Sequence, residues 1–335
     1  FAMDLTTRSA SGRLSELLGT RTLEYDRKQR ERGYEKSALL KTQYWDKYQS
    51  NKTLMEAYVR GVNDYIHTLN YKDWPFEYKL LSHAPTDWSV LQSALVVTSM
   101  AISLALSEDD AEYSAAKAKL SPDDFQFLYP NQNSLESPII PVDTKWNFQA
   151  IHGGKSTPDT LHKTTGTPEE KEHNLNGSNN WAVAGSKTKN GFPILANDPH
   201  LGLTLPNIWY EMEFHTPDMH VHGVTLPGLP FIIIGFNDSI AWGSTNSGQD
   251  VLDWYSITWK DNTRHQYLLD GQYVNAELRP EKIEIRGSKP LIDTIRYTRW
   301  GPVSHLDKHT DMAMKWIGHQ NATSNDLDYL QKIDK

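Results

Sequence analysis

The sequence contains no cysteine. That excludes a disulfide framework, a thiolate nucleophile and a cysteine-ligated zinc site, and it leaves the compartment open. Long runs of positive charge are also missing. Against 34 Lys and Arg stand 42 Asp and Glu, giving a net charge of −8 with His neutral. Such a chain does not fit nucleic acid or an anionic membrane as its main partner. The most basic stretch, 26–36, mixes Arg27, Lys28, Arg30 and Arg32 with Glu31 and Glu35, the pattern of a solvated helix face. At the start, Phe1-Ala2-Met3-Asp4 has neither a basic opening nor a continuous apolar stretch, so no signal peptide is legible. One uncharged run of 20 residues extends from Trp88 to Ser107. Ser89, Gln92, Ser93, Thr98, Ser99, Ser103 and Ser107 interrupt it, which predicts a buried helix rather than a membrane span.

What remains is a chain of 335 residues, enough for one large domain or two ordinary ones. Its 11 Trp, 16 Tyr and 9 Phe suit a protein with a bulky apolar site. The residues before about 137 read as helical. Leu54, Ala57, Tyr58, Val62, Tyr65 and Ile66 recur at helix spacing and predict a helix over 52–69. Ser89 and Gln92 form a capping box at the start of the helix predicted in the uncharged run, and Ser121-Pro122 marks another helix start.

From 138 to 177 the composition turns to Pro, Gly, Thr, Lys, Glu and His, predicting an exposed connector open to proteases. After residue 178 the pattern is that of strands. Trp181–Ala184 and Pro193–Ala196 flank Asn190-Gly191, a hairpin signal. Further strands are expected at 207–215, 219–225, 231–236, 251–259, 267–273, 281–286 and 292–299. The chain thus divides into a helical region, 1–137, a linker, 138–177, and a strand-rich region, 178–335.

The sharpest chemical feature is Asn176-Gly177-Ser178-Asn179-Asn180-Trp181, where the linker meets the first strand. A serine hydroxyl is a weak nucleophile without an adjacent base. A serine at a freshly exposed amino terminus supplies its own base, because an α-amine has a pKa of about 7.7–8.0 and accepts a proton near neutrality. Gly177, lacking a side chain, lets the Ser178 Oγ approach its carbonyl. Taken alone, the hexapeptide also fits a plain Gly-Ser loop feeding a hairpin.

The surrounding sequence goes further. Gly177-Ser178-Asn179-Asn180-Trp181-Ala182-Val183-Ala184-Gly185-Ser186-Lys187-Thr188 resembles the start of the catalytic chain of the penicillin acylase family. Pro193-Ile194-Leu195-Ala196-Asn197-Asp198-Pro199-His200-Leu201, then Leu226-Pro227-Gly228-Leu229-Pro230, then the block from Gly235 to Asn246 follow in the family's order. Ala57-Tyr58-Val59-Arg60-Gly61-Val62-Asn63 resembles the family's smaller chain.

The resemblance implies an α+β fold, the N-terminal-nucleophile (Ntn) hydrolase αββα sandwich, incomplete here and with a helical N-terminal part. It implies a precursor that cleaves itself between Gly177 and Ser178, loses a spacer, and matures as a heterodimer of two chains, secreted or periplasmic. The implied activity is hydrolysis of a small-molecule N-acyl amide, either penicillin-like or an N-acyl homoserine lactone. An aliphatic residue at 104 and 201 makes aliphatic acyl groups fit at least as well as phenylacetyl.

Residue roles follow from the same likeness. Ser178 is the nucleophile, His200 orients it, and the oxyanion donor is the N–H of Asn246 or of Ser247. Met100, Leu104, Leu201 and Ile234 line the acyl pocket. Glu108, Asp250, Asp253 and the carbonyl of Leu252 hold a calcium ion, a hard cation that selects such oxygens. Family members place a further asparagine donor downstream of the residues given, so this chain alone is expected to be inactive. The alternative from another class is a non-catalytic fragment or pseudoenzyme.

Two other motifs carry less. Ser114-Ala115-Ala116-Lys117 spells S-x-x-K, but no S-D-N follows it. His220-Val221-His222 puts two imidazoles on one strand face without a third ligand at zinc-site spacing, and H-E-x-x-H is absent.

Overall fold

A computed structural model of the chain describes residues 1–105, 110–130, 144–145, 178–246, 250–306, 310–320 and 326–334. It divides into two compact units, Phe1–Ser107 with Lys171–Lys335, and Glu108–Glu170. In the smaller unit the described residues form two helices. In chain order the helices are α1 (Ala2–Ser11), α2 (Ser15–Leu18), α3 (Leu23–Glu31), α4 (Tyr34–Trp45), α5 (Gln49–Thr68), α6 (Phe76–Leu80), α7 (Val90–Ala105), α8 (Asp110–Lys119), α9 (Pro122–Leu128) and, at the far end, α10 (Asp326–Ile333). Helices α8 and α9 belong to the smaller unit. The Ser121 Oγ there accepts the Asp124 N–H at 3.1 Å with Pro122 next to it, the cap its sequence predicts.

The helical region owes its solidity to α7. Ser93, Ala94, Leu95, Val96 and Thr98 are all buried, so the helix is covered on several sides. Its polar residues are accommodated rather than exposed: the Ser93 hydroxyl donates to the Gly228 carbonyl at 2.7 Å and accepts the Trp88 Nε1–H at 3.0 Å. Gln92 reaches back to the Ser89 N–H at 2.7 Å, the half of the capping box that fixes where α7 begins. Among the described residues no helix is long and apolar enough to cross a membrane.

Helix α5 differs from its sequence reading. Its inward residues are Asn51, Leu54, Met55, Tyr58, Val59, Val62 and Ile66, while Ala57 and Tyr65 are exposed. The inward stripe centres on the fully buried Met55, which places Ala57 and Tyr65 outside it.

The strands are β1 (Asn179–Val183), β2 (Ile194–Asp198), β3 (Tyr210–Thr216), β4 (Met219–Thr225), β5 (Ile234–Asn237), β6 (Ala241–Trp242), β7 (Leu252–Ser256), β8 (Gln266–Leu269), β9 (Gln272–Asn275), β10 (Glu277–Ile283), β11 (Leu291–Thr298), β12 (Gly301–Ser304) and β13 (Met312–Trp316). Their described pairings are all antiparallel. A five-stranded sheet runs β10-β11-β12-β13-β7, a four-stranded sheet β3-β4-β5-β6, and β1-β2 and β8-β9 form ribbons. Pro280, which has no N–H to give a ladder, sits on edge strand β10.

The stretch 267–273, expected as one strand, is a hairpin. Asp270 and Gly271 both have positive φ, 49° and 81°, the backbone of a tight primed turn. The Asn190-Gly191 hairpin exists, but its loop is longer than two residues. It includes a 3₁₀ turn at Gly185–Lys187, and the Thr188 hydroxyl bonds both the Gly185 and Phe192 carbonyls, at 3.0 and 2.7 Å. Strands β12 and β13 and helix α10 have no counterpart in the sequence reading.

Three clusters join helices to sheets. Tyr34 of α4 packs with Leu252, Met314 and Trp316 of the five-stranded sheet, and with Ala101 and Ile102 of α7. Trp88, Val96, Leu226 and Leu229 tie α7 to the loop after β4. Leu327 of α10, fully buried, joins Trp45, Met55, Ala94 and Phe231. Salt bridges fasten the seam between α3 and the sheet, with Arg27 to Asp293 at 2.7 Å and Arg30 to Glu281 at 3.3 Å.

Candidate active site

Ser178 stands immediately before β1 and is half-buried. Antiparallel pairing of β1 with β2, in the register Asn179 to Asp198, sets it beside the residues that follow β2. Its Oγ accepts the backbone N–H of His200 at 3.2 Å. A donor on Oγ leaves the hydroxyl proton available to a base and stabilises negative charge growing on that oxygen. The His200 imidazole turns the other way, its Nε2 lying 2.8 Å from the Asp198 carboxylate. Backbone, not ring, is what touches the serine.

One residue that sequence reasoning did not single out binds this corner together. The Asn197 side chain on β2 donates to the Asn179 carbonyl at 2.9 Å and to the Ser244 carbonyl at 3.1 Å. Its oxygen accepts the Ser244 N–H at 2.9 Å. The segment 243–246 is thereby held against the strand that begins after Ser178. Asn246 in turn donates from its side-chain amide to the Leu104 carbonyl near the end of α7. The available signal was an amide side chain on a half-buried strand, inside a matched block.

The whole chain, residues 1–335, matches the family model described as penicillin amidase. The chain belongs to the penicillin amidase family. It is 30% identical over 304 residues to the acyl-homoserine lactone acylase QuiP of Pseudomonas aeruginosa, covering 88% of this chain and 35% of that protein. Penicillin acylase 2 proenzyme from Pseudomonas sp. strain SE83 is 29% identical over 316 residues, covering 90% of this chain and 39% of its own. A solved thermostable penicillin G acylase from Alcaligenes faecalis overlaps 42% of this chain and 25% of its own, with 29% identity and a TM-score of 0.37. The chain spans about a third of the length of these curated relatives.

Against this family background, the other expected positions fall in several places. Met100 lines a cavity of about 60 Å³ with Val96, Ser99, Ile208 and Leu226, bounded by α1, α7 and the loops on either side of β3 and β4. Leu104, one turn further along α7, is 40% exposed. Leu201 is half-buried in the loop after β2, and Ile234 is half-buried on β5 opposite Val224. Of these four, Met100 is on the cavity wall, and the structure does not gather the other three around it. Ser178 does not line that cavity either; the link between the two runs along α7 from Met100 to Leu104 and then to Asn246.

Asp250 and Asp253 are exposed, with Leu252 buried between them at the start of β7, and Asp253 is paired in register with Lys315. Among the described residues no group of three His, Asp or Glu side chains is arranged to hold a metal. Gly177, Glu108 and Ser247, like most of the linker, lie outside the described residues.

The imidazoles of His220 and His222, on one face of β4, are both engaged by carboxylates. His220 lies 2.7 Å from Glu213 and 3.1 Å from Asp238, and His222 lies 3.0 Å from Glu211. The hydrogen bond to Glu213 is the main reason that the His220 pKa is raised.

Proposed function

We propose that this protein is an acylase, an amide hydrolase whose nucleophile is Ser178 after the Gly177–Ser178 bond is cleaved. The observation that carries the proposal is the corner just described, found inside a chain whose full length matches the family. Ser178 precedes β1 with a backbone donor on its Oγ, and Asn197 holds the 243–246 segment beside it.

Maturation and turnover use the same atom. In maturation, Oγ attacks the Gly177 carbonyl, the peptide bond to the Ser178 nitrogen breaks, and water hydrolyses the resulting ester. The freed α-amine is then the base. In turnover it takes the Oγ proton as the O–C bond to the substrate acyl carbon forms, and it returns a proton to the departing amine nitrogen. Water attacks the acyl-enzyme and releases the acid. Negative charge on the substrate oxygen falls to the N–H of Asn246 or Ser247, and His200 orients the serine.

For the substrate, Met100, Leu104, Leu201 and Ile234 are proposed to contact the acyl group, with aliphatic chains fitting at least as well as phenylacetyl. Penicillin-like amides and N-acyl homoserine lactones are both within reach, since the relatives carry both names. Discrimination by one methylene is worth only about 1–3 kcal/mol, so a hydrolysis panel across acyl lengths decides between them. The Ntn-hydrolase sandwich, the two-chain mature form and export to the periplasm or outside belong to the same proposal. So does calcium. Asp250, Asp253, the Leu252 carbonyl and Glu108 are hard oxygen donors of the kind it takes, and it would fix the start of β7. Chelation with EGTA is expected to lower the melting temperature of the full-length protein, with calcium restoring it and magnesium not. An unchanged melting curve removes the ion.

The deciding experiment is amino-terminal sequencing of the full-length protein together with an amide-hydrolysis assay. The expected result is a new terminus at Ser178 and turnover, both abolished in Ser178→Ala. An intact, inactive full-length wild type would instead favour the non-catalytic reading.

A further inference from the structure

We infer that Asn197 is a positioning residue that sets the distance between the nucleophile and the oxyanion donors, an inference that rests on the acylase reading above. The carboxamide uses three hydrogen bonds on two separate segments. Two go to Ser244, one from its N–H and one to its carbonyl, so the side chain grips that residue as a neighbouring strand would. The third goes to the carbonyl of Asn179, the residue bonded to Ser178. Ser244 lies 47 positions from Asn197 in sequence and two before Asn246. The backbone N–H proposed to receive the oxyanion and the Oγ proposed to create it are therefore registered through one side chain.

Gly243 packs directly over the Asn197 side chain: a Cβ at position 243 would lie 2.7 Å from the Asn197 Cβ and 2.8 Å from its Cγ and Oδ1. Only a residue without a side chain lets the 243–246 backbone come this close. The glycine and the amide form one fitted contact.

The amide is specifically required by the chemistry of the partners. Asn179 and Ser244 present two carbonyl oxygens, so the group between them must donate twice, and Ser244 presents one N–H, so it must also accept. A carboxylate of the same shape accepts but cannot donate, and it would face two carbonyl oxygens. A displacement of about 1 Å at a reacting centre costs about 10²-fold in rate.

The test uses the full-length protein with Asn197→Asp and, independently, Gly243→Ala. Turnover is counted per Ser178 amino terminus, alongside KM and melting temperature. In both variants kcat is expected to fall about 10²-fold or more, with KM and melting temperature near wild type, the signature of a contact that matters in the transition state. A folded variant that no longer cleaves itself counts as the same loss, because the same Oγ attacks. Unchanged kcat in either folded variant overturns the proposal. So does a fall in kcat that tracks a fall in melting temperature, or failure of both variants to fold, since Asn197 would then be purely structural. The acylase reading fails separately, when wild type shows neither a Ser178 terminus nor amide turnover.

Discussion

The five-stranded sheet and the β1–β2 ribbon are held in place by opposite means. Around Tyr34, Leu252, Met314 and Trp316 the sheet is fixed by apolar burial, each of these residues being 2% exposed or less. Such packing is worth kilocalories per side chain and tolerates loss of any one hydrogen bond. Strand β1, which follows Ser178, is placed by polar contacts, the Asn179 carbonyl accepting the Asn197 side chain at 2.9 Å. Among the described residues its only ladder partner is β2, and the ribbon is tied to the 243–246 segment through one amide side chain. Burial gives stability without fine direction, whereas three hydrogen bonds to chosen backbone atoms give direction at little stability. A corner with the proposed chemistry needs the second kind, and the neighbouring core lets the chain have it.

Substitutions on the two sides should therefore separate stability from rate. Trp316→Ala removes a ring that is 2% exposed and stands edge-on to Tyr34 at 5.8 Å between centroids. It should cost about 3–5 kcal/mol, measured by denaturant unfolding of the full-length protein. Turnover per folded, processed molecule should stay near wild type. Asn197→Asp should show the reverse. If Trp316→Ala lowered kcat in the folded fraction as much as Asn197→Asp, the division between supporting core and directed corner would be lost.

The same division explains what the sequence disclosed. Locally coded features were legible: the Ser89–Gln92 cap, the Ser121-Pro122 start, the hairpin around Asn190-Gly191, and the change from helix to strand code near Ser178. Ser178 itself stood out because the chemistry proposed for it rests on adjacent residues. Strand β13 was missed because burial on it runs nearly unbroken, with Ala313, Met314 and Trp316 all buried, leaving no clean alternation to read. Met312 to Trp316 becomes a strand by pairing with β12 on one side and, on the other, with β7, some sixty residues earlier. The β8–β9 hairpin is locally coded too, since Asp270-Gly271 is a turn signal within the 267–273 stretch. Asn197 could not have been assigned its part from composition or spacing alone. Its role exists only once Ser244 has been brought back across the fold.

A smaller effect is expected where burial and charge meet. Asp334, at the end of α10, is 4% exposed. One of its oxygens accepts the Ile232 N–H at 3.1 Å, and the other is buried with no hydrogen-bond partner. Burial raises its pKa to about 6, the bond from Ile232 opposing this only in part. The carboxyl is thus more readily protonated in the folded chain than in the unfolded one, where it has an ordinary aspartate pKa. Its favourable contribution is complete below about pH 4 and disappears as pH rises through about 6. Asp334→Asn keeps an acceptor for Ile232 and carries no charge at any pH. The variant should accordingly gain on wild type by about 1–2 kcal/mol between pH 4 and pH 7, read as the difference between their unfolding free energies so that other titrating groups cancel. Parallel curves across that range would mean that the ionised carboxylate is as well solvated in the folded chain as in the unfolded one. Helix α10 would then be docked by Leu327 with its apolar neighbours and by Asp326, which pairs with Lys41 at 2.8 Å and accepts the Trp45 Nε1–H at 2.9 Å, with no electrostatic penalty at its end.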